Sequence, residues 1–339
     1  IGDIDLLASS LVPDAVMHAF SELAPVAEVL LGGQTKTTVR LHNGLQVDLR
    51  VLAPEHWGAA LQYFTGSQAH NVRVREIARN QNLSLSEYGF KREDGTLLTC
   101  PQETEVYETL GLRWLPPELR EDRGEIQAAL ENGLPRLVGW DDILGDLHAH
   151  TDWSDGAGTL TEMAETAREH GYRYLLISDH TQSLGIASGL TPEQLHEQRA
   201  EIDTLNKRWQ DFTLLQGCEL EIKADGSLDF SDEVLAELDF VVASVHTSLR
   251  QERSQITERV MNALRNPYVD VIGHPSGRIL GQREESAVDL DAVVEEASRT
   301  GTALEVNSIP SRLDLDDVHV RRALELGVKI AINSDAHHP

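Results

Sequence analysis

From residue 143 onward, apolar runs of strand length alternate with stretches in which apolar residues recur every three or four positions. The runs cover 143–148, 172–178, 212–218, 240–245, 269–273, 303–307 and 328–333, with helical patterns at 159–170, 192–209, 255–265, 290–300 and 318–327. Strands separated by helices imply parallel pairing through right-handed crossovers, and runs apolar on both sides suit a sheet covered on both faces. A barrel of the (β/α) kind is predicted. Residues 1–120 lack this rhythm. Strand-like runs at 1–7 and around Val47-Asp48-Leu49-Arg50 precede a basic helical stretch with Asn71, Arg73, Arg75 and Arg79. The polar, Pro-flanked and weakly periodic stretch 121–142 is expected to link a unit at 1–120 to one at 143–339.

All but one of the seven runs hand over, at their C-terminal ends, to a residue that can bind a metal. The first gives Asp146-Leu147-His148-Ala149-His150, then Ser154-Asp155-Gly156; the second ends in Asp179-His180, the third in Glu219 and the fourth in His246. The fifth ends in His274 and the last in Asp335-Ala336-His337. In a (β/α) barrel these ends converge on one face, where active sites form. Alternation puts His148 and His150 on one side of their strand, and Asp335 and His337 repeat the arrangement. A single His at a strand end is more often a satisfied core or surface residue, but scattered structural histidines have no reason to fall at the same end of successive strands. Imidazole and carboxylate ligands without thiolate suit Zn(II), Mn(II) or Fe(II). Nine ligands exceed what one ion needs, and a carboxylate such as Glu219 can bridge two ions that clamp a phosphoryl group.

Charge narrows the substrate. Residues 1–140 hold 12 Lys+Arg and 19 Asp+Glu, the remainder 17 and 37, within a total net charge of -27. So acidic a second half is a poor general polyanion binder, whereas bound cations would reverse the potential in the pocket itself. Arg278 and Arg283, near the fifth strand end, are candidates to reach a substrate phosphate, although an exposed loop Arg is more often simply solvated. Cys100 and Cys218 are too few for a disulfide framework, which fits a reducing cytoplasm. No run of 18 or more apolar residues could span a membrane. The chain opens at Ile1 inside a strand-like run and stops after His338-Pro339, so it reads as a piece of a longer protein.

The motifs Asp146-Leu147-His148-Ala149-His150-Thr151, Ser154-Asp155-Gly156, Ser178-Asp179-His180, Gly273-His274-Pro275 and Asp335-Ala336-His337 resemble the PHP (polymerase and histidinol phosphatase) superfamily across residues 143–339. The resemblance implies a distorted seven-stranded barrel with a trinuclear Mn(II) or Zn(II) centre: His148, His150, Glu219 and Asp335 at one ion; Glu219, His246 and His274 at the second; Asp155, His180 and His337 at the third. Asp179 and His338 match no ligand position.

In the first part, Asp3 and Asp5 share one strand face and Asp48 supplies a third carboxylate, as two Mg(II) ions and a nucleoside triphosphate require. The stretch Tyr63-Phe64-Thr65-Gly66-Ser67 follows, and its Gly lets backbone approach a sugar. These motifs resemble the palm and nucleotide-binding subdomains of family X DNA polymerases, an α+β segment, over residues 1–120. The resemblance implies Mg(II) or Mn(II) at Asp3, Asp5 and Asp48, nucleotide contacts by Tyr63, Phe64 and Gly66, and minor-groove contacts by Asn71 and Arg75. The basic helix-hairpin-helix segments and the Gly-Ser/Arg triphosphate grip that family X enzymes carry before this point are not in these residues. The order of the two parts is similar to that of bacterial family X DNA polymerases with a C-terminal PHP domain. It implies a cytoplasmic, monomeric DNA repair polymerase with a 3'-5' exonuclease, acting on gapped or 3'-ended DNA and deoxynucleoside triphosphates. The alternatives are a small-molecule phosphatase of histidinol-phosphatase type with a vestigial polymerase segment, and a DNA-tethering module with an inactive barrel.

Overall fold

A computed structural model describes residues 2–339 and divides into two compact units, one ending at residue 137 and the other covering 138–339. Ile1, the first residue of the expected opening strand, lies outside the described residues. The first unit begins with a four-stranded sheet in the order β1-β4-β3-β2: β1 (Asp3–Ser9), β2 (Val26–Gly32), β3 (Lys36–Leu41) and β4 (Gln46–Leu52). The helix α1 (Pro13–Ser21) covers one face, where Met17 and Phe20 pack on Val39, Val47, Leu49 and Val51. Those three β4 residues alternate with Asp48 and Arg50, so the polar set faces the other way.

The rest of this unit gathers α2 (Trp57–Thr65), α3 (Gln68–Asn80), a small sheet of β5 (Leu83–Ser86), β6 (Gly89–Arg92) and β7 (Leu97–Leu98), α4 (Glu103–Thr109) and α5 (Glu125–Leu130) around Val74, Phe90, Val106, Tyr107 and Leu115. The expected linker 121–142 differs from expectation here. Its first part folds as α5, with Ile126 and Ala129 buried in this core. Polar locks hold it: Arg120, fully buried, donates to the Leu115 carbonyl and to Glu103, and Glu125 accepts from His70 Nδ1 at 2.8 Å. Only two of its apolar residues are buried, too few to leave a periodic trace, so tertiary contacts decide the helix.

The second unit has the predicted alternation. Its strands are β8 (Gly145–Asp146), β9 (Tyr174–Ile177), β10 (Thr213–Glu221), β11 (Phe240–Ser244), β12 (Val271–Ile272), β13 (Ala303–Asn307) and β14 (Ile330–Asn333), parallel and in sequential order. Between them run α6 (Leu160–Glu169), α7 (Pro192–Asn206), α8 (Asp232–Leu235), α9 (Arg253–Leu264), α10 (Leu290–Thr300) and α11 (Asp317–Glu325). Thr159, Thr191, Asp289 and Asp316 cap α6, α7, α10 and α11 with side-chain oxygens, satisfying N–H groups that have no partner within the helix. The sheet curls into a nearly closed seven-stranded barrel. At its seam, among the described residues, β8 and β14 share no ladder; a single bridge joins Ala149 to Ala336, just beyond both strands. The His150 amide donates to the Ala336 carbonyl at 2.8 Å, and the Asp146 carboxylate accepts from His148 N–H (2.9 Å) and Ser334 N–H (3.0 Å). One buried carboxylate thus ties the first strand to the last.

Candidate metal centre

At the C-terminal end of the barrel the side chains singled out by their strand-end positions meet. Glu219, on β10, is central and buried. Its Oε1 lies 2.9 Å from His274 Nε2 and 3.1 Å from His246 Nε2; its Oε2 lies 3.0 Å from His180 Nδ1, 3.4 Å from His148 Nε2 and 3.5 Å from His150 Nε2. Its two oxygens therefore face different sets of imidazoles. On one side Asp335 Oδ1 stands 3.5 Å from His148 Nε2 and 3.2 Å from His150 Nε2. On another, Asp155 lies 3.4 Å from His337 Nε2, 3.5 Å from His180 Nε2 and 3.9 Å from His150 Nδ1.

Three groups have ligand atoms within 4.8 Å of one another: His148, His150 and Asp335; His180, Glu219 and His246; and His150, Asp155, His180 and His337. The groups overlap, because the two nitrogens of His150 and of His180 face different neighbours. The rings of His150 and His180 stack at 4.4 Å, and those of His150 and His337 at 4.3 Å.

The polar atoms at the centre are buried and unsatisfied. His148 Nε2, both nitrogens of His150, His180 Nδ1, His274 Nδ1 and Glu219 Oε2 have no hydrogen-bond partner. Each such atom costs on the order of 1–3 kcal/mol if left so. Cations among them would satisfy several at once, so this donor set fits divalent metals. The charge balance agrees. Burial alone would raise the Glu219, Asp335 and Asp155 carboxyls, yet the surrounding imidazoles hold all three well below the usual carboxylate range. Burial opposes protonation of His246, but Glu219 and Glu221 override it and lift its pKa to about 10. The hydrogen bond to Asp155 raises His337 to about 9. A site that binds protons so strongly has the potential for cations, which compete with protons for the same lone pairs.

A ring of acceptors around these residues fixes their orientation. Glu305, fully buried in β13, accepts from His148 Nδ1 (2.7 Å), the His274 amide (2.6 Å) and Asn333 Nδ2 (2.8 Å), so His148 presents the lone pair of Nε2 inward. Glu221 does the same for His246 Nδ1 at 2.7 Å and also takes the Thr247 hydroxyl at 2.7 Å. Asp179, fully buried, accepts from Thr151 N–H and Oγ1, Ser154 Oγ and Gln198 Nε2, which shapes the turn carrying Asp155. His274 and Asp335 have φ of 27° and 53°, unusual for residues other than glycine and a cost borne where the side chains converge. Sequence reasoning passed over Glu305 and Glu221; their one signal was a carboxylate inside an otherwise apolar strand. His338 is exposed. Arg278 is engaged elsewhere, donating to the Arg312 and Leu313 carbonyls and pairing with Glu285 at 3.1 Å.

In the first unit, β1 and β4 are adjacent and Asp5 is in register with Asp48, so both carboxylates and Asp3 share one face. Asp48 is buried and ion-paired with Lys36 of β3; among the described residues these three aspartates form no converging ligand group. The α2–α3 turn passes through Gly66 at φ 73°, a conformation that favours glycine. Asn71 donates to the Tyr63 carbonyl at 2.6 Å and accepts from Gln62 at 2.7 Å, while Arg50 lies over the Phe64 ring at 4.8 Å. Arg75 is exposed on α3.

Both units resemble known proteins. The family model for the DNA polymerase beta thumb matches residues 60–121, and that for the PHP domain matches 146–309. The chain is 41% identical, over 341 aligned residues and its full length, to a Bacillus subtilis (strain 168) protein named DNA polymerase/3'-5' exonuclease PolX; it spans 60% of that relative's length. A protein of Thermoanaerobacter sp. (strain X514) named probable phosphatase is 32% identical over 203 residues, covering 57% of this chain and 78% of its own. A Leishmania infantum polymerase beta structure matches at a TM-score of 0.31 and 20% identity, over 35% of this chain and 57% of that one.

Proposed function

We propose, for a chain that belongs to the PHP family and carries a DNA polymerase beta thumb segment ahead of that domain, that it serves a bacterial family X DNA polymerase in DNA repair. In this reading the barrel is a metal-dependent 3'-5' exonuclease that hydrolyses the terminal phosphodiester of a DNA strand. The first unit contributes to template-directed nucleotide addition. The observation that carries the barrel's role is the convergence of nine imidazole and carboxylate side chains, five of which have buried atoms without a hydrogen-bond partner.

The cluster has room for three ions, and the sets implied by the family resemblance differ in part from the three geometric groups: His148, His150, Glu219 and Asp335 would hold the first, Glu219, His246 and His274 the second, and Asp155, His180 and His337 the third. When bound, such ions supply Lewis acidity toward the phosphoryl oxygens and a water whose pKa lies near neutrality. The chain supplies the geometry. Glu219 turns one oxygen to each side, and Glu305 and Glu221 keep protons on the Nδ1 atoms of His148 and His246, so that both Nε2 atoms face inward. His337 holds its own Nδ1 proton against the Asp335 carbonyl at 2.9 Å. Mn(II) or Zn(II) fits these donors, and Mg(II) or Mn(II) fits Asp3, Asp5 and Asp48 once Lys36 is displaced from Asp48. The partners are 3'-ended or gapped DNA and deoxynucleoside triphosphates, and the protein works as a cytoplasmic monomer. Among the described residues no helix is long and apolar enough to cross a membrane.

The test gives the protein, with Mn(II), a 5'-labelled oligonucleotide and separately a small phosphomonoester. Stepwise release of mononucleotides from the 3' end, lost in His148→Ala, is expected. Phosphate release from the monoester with the oligonucleotide left intact refutes the exonuclease and favours the small-molecule phosphatase.

A further inference from the structure

Beside the metal centre lies a cavity of about 690 Å³ that shares His246 with it and is otherwise lined by the loops after β11 and β12. Two guanidiniums stand on its wall, Arg250 and Arg283. Arg283 is held in place. A tight hairpin pairs Ile279 with Arg283 through both backbone N–H···O bonds at 2.8 Å, and Arg283 Nε donates to the Gly277 carbonyl at 2.7 Å. Its two Nη groups have no protein partner, and neither Arg283 nor Arg250 forms an ion pair among the described residues. Burial and the neighbouring Arg312 both disfavour its charge, the Asp314 carboxylate offsets them only in part, and Arg312 is drawn toward Asp335, 3.6 Å away. Of the acidic groups on the same wall, Glu285 is taken by Arg278, which leaves Glu284.

Cations left unpaired in a domain with more than twice as many acidic as basic residues need an anion, and a fixed guanidinium fork suits phosphate oxygens. The volume is that of a small-molecule site, far more than a single phosphate fills.

We propose that this cavity is a second anion subsite, in which Arg283 and Arg250 bind the phosphodiester adjoining the one held at the histidine cluster. The inference rests on the exonuclease reading and deepens it: the barrel recognises a nucleic-acid chain, not an isolated phosphate ester. The scissile phosphate sits at the histidines, the next linkage lies against the arginines, and the intervening nucleoside occupies the rest of the cavity.

The experiment uses the full chain with Mn(II) and compares the parent with Arg250→Gln/Arg283→Gln. The substrates are an oligothymidylate, the same strand with a neutral methylphosphonate replacing the linkage next to the terminal one, and the p-nitrophenyl ester of thymidine 5'-monophosphate. About tenfold for each charge-assisted contact, the ratio of kcat/KM for oligothymidylate to that for the nitrophenyl ester is expected to fall about 10- to 100-fold in the double variant. The methylphosphonate costs the parent a similar factor and the variant nothing, and Arg283→Lys recovers part of the loss. An unchanged ratio, or a parent indifferent to the methylphosphonate, overturns the subsite. Oligonucleotide binding after EDTA treatment, followed by fluorescence anisotropy, separates the two readings. A parent whose binding is weakened by the methylphosphonate but which cleaves no strand keeps the subsite and loses the exonuclease; one whose binding ignores it loses the subsite.

Discussion

Replacing Glu305 by Gln tests whether the carboxylates behind the histidines set the strength of the metal centre. Glu305 is wholly buried and accepts three hydrogen bonds: from His148 Nδ1, the His274 amide and Asn333 Nδ2. A Gln side chain fills the same volume with one acceptor oxygen, so its amide must face either His148 Nδ1–H or the His274 N–H. One buried donor is then opposed by another donor, a loss of about 1–3 kcal/mol. If His148 rotates or changes tautomer to escape, its Nε2 lone pair is no longer offered beside Asp335 and Glu219. Loss of such a carboxylate behind a metal-binding His costs about 10- to 100-fold in affinity, or about 1.4–2.7 kcal/mol, the same size as the hydrogen-bond deficit. The measurement is metal content by plasma mass spectrometry after equilibration at graded free Mn(II), with a thermal melt to confirm folding. A Glu305→Gln protein that melts like the parent and holds its metals with parental affinity refutes the argument.

Three further outcomes follow from the geometry. Glu221→Gln is expected to weaken one ion by about tenfold through His246, leaving the others near parental affinity; equal weakening of all bound ions is the contrary result. Gly156→Ala places a Cβ 2.6 Å from the His150 backbone, so the turn must shift and carry Asp155 away; bound metal should fall by about one equivalent while the far-ultraviolet spectrum is retained, and full occupancy contradicts this. In the first unit, burial lowers the pKa of His70 below 6.5, while Glu125, which burial would raise, is held below 4.5 by His70 and the Asp122 and Arg123 amides. For both groups the unfolded chain binds more protons than the folded one. Stability is therefore full above pH 6.5 and declines as pH falls through 6.5 and again below 4.5, so amides of α3 should exchange faster at pH 5 than at pH 7 after correction for intrinsic rates; equal protection refutes the pairing.

Much of the barrel was legible because its strands are apolar on both sides and its reactive residues sit at a fixed place, the strand end. His148, His150, His180, His246, His274, Asp335 and His337 could be placed on one face by counting alone. Glu305 and Glu221 could not, since their role depends on which ring comes to lie opposite, and that is a property of the closed barrel. Most strands proved shorter than their apolar runs, 143–148 pairing with β9 as a ladder over only Gly145 and Asp146, whereas β10 runs three residues past its expected end to Glu221. In the first unit the register of Asp5 with Asp48 was foreseen as adjacency, but Lys36 at Asp48 was not, since a Lys on a neighbouring strand carries no spacing signal. Arg278 and Arg283 looked alike in the sequence. Their neighbours separate them: two carbonyls and Glu285 bind all of the Arg278 guanidinium, whereas a carbonyl binds only the Nε of Arg283.

The seam tied by Asp146 sets an order of events in the life of the chain. Its carboxylate reaches Ser334, 188 residues later, and the Leu147 amide reaches Asn333, 186 residues later. The first histidines are synthesised early in the barrel, yet Asp335 and His337, which complete two of the three ligand groups, follow its last strand. Until the last strand arrives, β8 has an unpaired edge and neither group that includes Asp335 or His337 exists, so two of the three groups wait on the non-local contacts across the seam. Of the three groups, only His180, Glu219 and His246 can assemble before the barrel closes.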